Sequence, residues 1–242
     1  MRAVVAHGAG DFRLEDVPDP TLEGGAVVRM EAAGVCAADR MIYKGDSPWE
    51  LTFPFVPGHD NVGTIVELDA EAGQRWGVAE GDMVVNEVMV PCGDCPLCRR
   101  ERFHLCRNGR HIGSSLPGGW AERMAIPPKA RVWRVPAGLA AEEAVVAEPL
   151  ACGIHAVERA DPREGETVVI SGIGAIGAGA LAYVAAVKPA AEIVALVTTP
   201  ERAAIARELG AAAAIDVTAT DAAAELRDRT DGVGPDHYLD FT

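Results

Sequence analysis

Four cysteines crowd into PCGDCPLCRRERFHLC, at positions 92, 95, 98 and 106. The spacing C-x2-C-x2-C-x7-C brings four thiolates within reach of one ion. Four sulfurs close a tetrahedral shell and leave no position for substrate, so a site of this kind is structural, and Zn(II) is the ion that fits it best. An iron–sulfur cluster and two disulfides are the other readings, and a reducing compartment speaks against the disulfides. Arg99, Arg100, Arg102 and Arg107 stand in or beside this lobe, 91–107, and offset the charge of Cys92, Cys95, Cys98 and Cys106. His104 lies inside the same loop, where a filled shell leaves it packing or hydrogen bonding.

A second pattern, Gly172-Ile173-Gly174-Ala175-Ile176-Gly177, is G-x-G-x-x-G. It follows the apolar run VVIS and opens an apolar helical pattern, which is the context a dinucleotide turn requires. The glycines allow a tight turn and close approach of a pyrophosphate, and the helix start supplies free N–H groups and a positive dipole end. A glycine-rich packing turn is the alternative. An acid that reads the ribose of NAD is expected about 20 residues on. Val197 stands there, followed by Thr198, Thr199, Pro200, Glu201 and Arg202. Two hydroxyls, a helix start and a guanidinium suit a 2′-phosphate, which favours NADP over NAD. A third stretch, GVCAAD at 34–39, is ambiguous alone: free cysteine packs as a small hydrophobe, so Cys36 reads as core filler until its surroundings are known.

The elements that must position these residues divide into two patterns. Up to residue 150 the chain is rich in short strands and turns: 26–34, 61–68 and 81–90 are Val- and Ile-containing runs punctuated by glycine, the last opening on a Gly-Asp turn. A mainly β domain, 1–150, is expected. From 141 a helical stretch begins, and Pro149 is expected to break it. Beyond it, strands at 165–172, 192–197, 212–217 and 237–242 alternate with helices at 175–187, 200–210 and 221–230. That alternation predicts a parallel sheet with crossover helices over 151–242.

Composition narrows the partners. The chain has 242 residues and a net charge of −14, shared equally between 1–150 and 151–242. Without clustered Lys and Arg, neither nucleic acid nor an anionic membrane surface is an expected partner. No stretch of about 18 apolar residues, the length that spans a bilayer, is present, and MRAVVAHGAGDFRLED lacks a signal-peptide pattern, so a cytosolic location is expected.

Together GVCAAD, PGHDNVG (57–63), the four-cysteine lobe, GGWAE (118–122), EPLACGIHAV (148–157) and GIGAIG resemble the zinc-dependent medium-chain alcohol and polyol dehydrogenases, across essentially the whole chain. The polyol and sugar-alcohol branch is the most similar. The resemblance implies a GroES-like catalytic domain followed by a Rossmann domain. It implies Cys36 and His59 as ligands of a catalytic zinc, with Glu148 a further ligand or one bonding through the zinc's water. Asp60 takes the place of a family glutamate that ligates in several members. Asp39 matches an aspartate that hydrogen-bonds the ligand histidine. The implied reaction passes a hydride between a secondary alcohol or small polyol, or the matching ketone, and NADP or NAD. A homodimer or homotetramer is implied for the full-length protein.

Two departures from the family pattern stand out. Ala38 replaces the usual Ser or Thr that starts the proton relay, and Met41 replaces a histidine that often follows. The chain also reaches its end within a fourth strand, where the family continues, so an incomplete chain is expected. A zinc-stabilised scaffold without catalysis and a zinc-free NADPH quinone reductase are the competing readings. Cys152 and His155, three apart, are expected to pack, while His7, His111 and His237 belong to no motif.

Overall fold

The computed structural model describes residues 1–188 and 192–242, in two units, Met1–Glu148 and Pro149–Thr242. The first unit opens with a hairpin of β1 (Arg2–Gly8) and β2 (Asp11–Asp16). Its main sheet is antiparallel and five-stranded. β3 (Ala26–Ala33) and β4 (Asn61–Leu68) form its centre, flanked by β5 (Met83–Asn86), β8 (Arg123–Ile126) and β9 (Val132–Arg134) in the order β8-β3-β4-β5-β9. Val28, Ile65, Val84, Met124, Ile126 and Val132 meet on one face and form its core. Register shifts at Val27/Val28 and Met30/Ala32 bend β3 against β4 and restore pairing at Ala33 and Asn61.

Three helices decorate this unit. α1 (Ala37–Lys44) starts at Cys36 and ends at Gly45 in the left-handed region. α2 (Ala70–Trp76) is capped by the Asp69 carboxylate, which accepts from Glu71 and Ala72. α3 (Ala141–Ala144) packs Ala144 against Val62 and Val135. A two-stranded ribbon, β6 (Met89–Val90) with β7 (Arg110–His111), closes the base of the cysteine lobe.

The break in the helical stretch is displaced from the expected Pro149. It falls between α3 and α4 (Ala147–Ala160), and Pro149 lies in the first turn of α4. Proline is tolerated there because first-turn N–H groups have no intrahelical acceptor.

The second unit builds the expected alternation. β10 (Thr167–Ser171), α5 (Ala175–Val187), β11 (Glu192–Val197), α6 (Pro200–Glu208), β12 (Ala213–Asp216), α7 (Ala222–Arg229) and β13 (His237–Asp240) follow in order. The sheet is parallel throughout, ordered β12-β11-β10-β13. Alternate residues of β10 and β11 enter separate cores on its two faces: Val168, Ile170, Ile193 and Ala195 on one, Val169, Val194 and Leu196 on the other. Burial on both faces is why these strands read as continuous apolar runs. β11 and β13 both follow β10 in the chain but lie on opposite sides of it in the sheet, so its C-terminal end is the switch point where open α/β sheets bind ligands.

Candidate functional site

Antiparallel pairing of β3 and β4 creates the first site. Cys36 follows the end of β3, and His59 and Asp60 precede the start of β4, so the Ala33–Asn61 pair carries both segments to one end of the sheet. The Gly34 N–H donates to the Asp60 carbonyl at 2.8 Å and locks the junction. A Cβ on Gly34 would stand 2.8 Å from Asp60 Cβ and Oδ2, so only glycine admits the aspartate here. Gly58 has φ +95, and a Cβ there would stand 2.3 Å from Trp120 Cδ1. Trp120 in turn donates its indole N–H to the Gly34 carbonyl at 2.9 Å.

The donor atoms of Cys36, His59 and Asp60 lie within 4.8 Å of one another. The two edges of the His59 ring face different carboxylates. Nδ1 is 3.9 Å from Asp39 Oδ1, and Nε2 is 3.7 Å from Asp60 Oδ1. Both separations exceed hydrogen-bond length, and both carboxylate oxygens are buried without a hydrogen-bond partner. The other oxygen of Asp39 accepts the Cys36 N–H at 2.8 Å. Burial pushes the Asp39 carboxyl above its ordinary range, opposed by that N–H. The imidazole of His59 is held up at about 9, chiefly by hydrogen bonding to the Cys36 side chain, then by the charges of Asp60 and Asp39. Sulfur, nitrogen and oxygen thus converge with a field that favours a cation.

Beside His59 opens a cavity of about 410 Å³, whose lining includes Ala38, Ile42, Trp49, Thr52, His111 and Glu148. Its volume falls in the range of small-molecule pockets, about 300–1,000 Å³. Phe55 pins the loop that carries Trp49 and Thr52, packing with Ala6 and Ile42 and bonding its N–H to the Ala6 carbonyl at 3.1 Å. Of the expected residues, Glu148 shares this cavity with His59. His111, which belongs to no motif, shares it too.

The four-cysteine lobe is a second donor cluster. Sγ atoms of Cys92 and Cys106 are 3.5 Å apart, those of Cys95 and Cys106 3.9 Å, and those of Cys92 and Cys98 4.0 Å. Tetrahedral Zn–S bonds of about 2.3 Å place sulfurs about 3.8 Å apart, so the cluster already has the right size. Backbone N–H groups point at the sulfurs: Cys98 N–H at Cys95 Sγ, 3.4 Å, and Cys92 N–H at Cys106 Sγ, 3.3 Å. The first pulls Cys95 down to about 6, and the second also lowers Cys106. These two shifts favour thiolates, whereas hydrogen bonding to Asp94 pushes Cys92 up to about 12 and burial raises Cys98.

At the end of β10, Gly172 has φ +83 and carries the turn. A Cβ on Gly177 would stand 2.0 Å from the Gly172 carbonyl oxygen, whereas one on Gly174 would meet nothing within 4 Å. The third glycine is needed for packing, and the second faces open space. No side chain caps α5 at Gly174, so the N–H groups of Ala175, Ile176 and Gly177 start the helix without a side-chain acceptor at the cap. The Arg202 guanidinium bonds the Ile173 carbonyl, which brings a cation to this turn. Thr199 Oγ1 caps α6 by accepting the Arg202 N–H at 3.3 Å, and Thr198 is exposed beside it.

The alcohol dehydrogenase GroES-like domain profile matches residues 23–137, and the zinc-binding dehydrogenase profile matches residues 175–242. An erythritol/L-threitol dehydrogenase of Mycolicibacterium smegmatis is 41% identical over 100% of this chain and 70% of its own length. The chain belongs to the zinc-binding dehydrogenase family. By family it is an oxidoreductase of alcohols and polyols. The family's fold is equally clear in solved structures. The alcohol dehydrogenase of Aeropyrum pernix superposes with a TM-score of 0.89 at 30% identity, covering 100% of this chain and 72% of that one. A zinc-binding dehydrogenase of Sinorhizobium meliloti, solved with NADP, gives 0.82 at 31% identity, covering 91% and 63%. The GroES-like and Rossmann architectures expected from the sequence are therefore both present. Neither the inert scaffold nor the zinc-free reductase gains support from these relatives.

Proposed function

We propose that the complete enzyme oxidises a secondary alcohol or small polyol, or reduces the matching ketone, using one zinc held by Cys36, His59 and Asp60, with Glu148 bonding through the zinc's water, and a second zinc in the lobe. The observation that carries the reading is the convergence of Cys36, His59 and Asp60 donor atoms beside an open cavity. Their chemistry fits zinc: a thiolate, an imidazole and a carboxylate, with the Asp60 Oδ1 atom buried and otherwise unpartnered. Zinc bound there supplies a Lewis acid to an alcohol or carbonyl oxygen.

The chain's own residues do the rest. Asp39 faces His59 Nδ1 and keeps Nε2 for the ion. The cavity gives the substrate a place beside His59. Ala38 lines it without a hydroxyl, so the alcohol proton leaves through Asp60, Glu148 or water. Gly172, Gly174 and Gly177 with the first N–H groups of α5 hold the pyrophosphate of a nicotinamide dinucleotide. Arg202 at the same turn, with Thr198 and Thr199, supports NADP over NAD. The assembly is a cytoplasmic homodimer or homotetramer, in keeping with the family. A screen of polyols and ketones with NAD and NADP tests the reading. Turnover with zinc-loaded enzyme, lost in His59→Ala, supports it. Equal use of NAD and NADP removes the role given to Arg202.

A further inference from the structure

The cavity beside His59 has unlike walls. Ile42, Leu51 and Ile112 are apolar, while His111 and Ser114 are polar. His111 is fixed through its backbone. It pairs with Met89 across β6 and β7, its N–H donates to Ser115 Oγ at 2.8 Å, and its carbonyl accepts from Leu116 at 2.9 Å. Ile112 beside it is 1% exposed and anchors the strand in the core. The imidazole is left over from this arrangement: among the described residues none hydrogen-bonds the His111 ring. A neutral imidazole offers one donor and one acceptor, which matches an alcohol hydroxyl. Ala38, on the same cavity, offers neither.

We propose that His111 binds a hydroxyl of the substrate beyond the reacting carbon, and so makes the enzyme prefer polyols to alcohols with a single hydroxyl. This rests on the zinc-dependent alcohol reading given above. His111 is exposed in the free chain, so a second hydroxyl takes the place of water on its ring, a bond that an alcohol with one hydroxyl cannot make. Ser114, on the same turn as His111, gives that hydroxyl a second neighbour.

The test is steady-state kinetics of the full-length, zinc-loaded enzyme with erythritol and with 2-butanol, which has one hydroxyl. His111→Leu removes both bonding functions, and His111→Gln keeps a donor and an acceptor. His111→Leu is expected to raise KM for erythritol about three- to tenfold with kcat little changed, the loss of one hydrogen bond. KM for 2-butanol stays level or falls, and His111→Gln restores most of the erythritol affinity. If leucine disturbs β7, His111→Ala reads the same loss. Equal weakening toward both alcohols marks a structural role and overturns the inference, as does an unchanged erythritol KM. Wild-type enzyme that favours 2-butanol overturns the inference alone. Wild-type enzyme inactive on every alcohol overturns the functional reading beneath it, and His111 falls with it.

Discussion

At the residue scale, His59 sits between two carboxylates, Asp39 facing Nδ1 and Asp60 facing Nε2. Asp39→Asn keeps an acceptor for the Cys36 N–H but removes the charge that faces His59. It is expected to weaken zinc at this site about 10- to 100-fold, measured by competition with a chromophoric chelator. An unchanged affinity removes Asp39 from the account. Gly34→Ala places a Cβ 2.8 Å from Asp60 and moves that carboxylate. Overpacking of this kind costs about 1–3 kcal/mol, and denaturant melts should show it together with loss of the catalytic-site zinc. The meeting of Cys36 and His59 donor atoms within 4.8 Å was foreshadowed by their distinctive flanking motifs. The cavity wall was not. Trp49 and Thr52 come from one loop and His111 from β7, far along the chain, and no periodic pattern links them.

At the scale of elements, the glycine turn separates packing from binding. Gly177→Ala drives a Cβ into the Gly172 carbonyl and should lower the melting temperature. Gly174→Ala meets open space, so it should melt as the wild type does while weakening the dinucleotide at least about tenfold, or about 1.4 kcal/mol, by calorimetric titration. If both variants bind cofactor normally, the turn is only a packing device. α5 and β11 have the bounds that the sequence pattern gives, because a strand buried on both faces and a long apolar helix leave continuous signals. The β1–β2 hairpin, α1 and α2 leave weaker ones. α1 is eight residues long and starts at a cysteine, which is not among the side chains that usually announce a helix. Pro149 misleads for a related reason: it marks a boundary, but one that lies just before it.

At the scale of the molecule, the two units carry different parts of the chemistry. The clustered donor atoms and the cavity belong to Met1–Glu148, and the G-x-G-x-x-G turn belongs to Pro149–Thr242. The chain carries a net charge of −14, and no described helix is long and apolar enough to cross a membrane. Within the first unit the two donor clusters have different consequences. On the proposed reading the lobe's four sulfurs close around one ion, so Cys98→Ser should lose one metal and open the loop 91–107 to proteolysis near Arg99–Arg102. The cluster at Cys36 and His59 leaves room for substrate, so losing its metal should abolish turnover while the lobe stays folded. The most direct measurement is zinc per chain, by inductively coupled plasma mass spectrometry, in the wild type and in His59→Ala. Two zinc ions in the wild type and one in His59→Ala are the expected result. A single zinc in the wild type that His59→Ala retains would contradict the assignment of a catalytic metal.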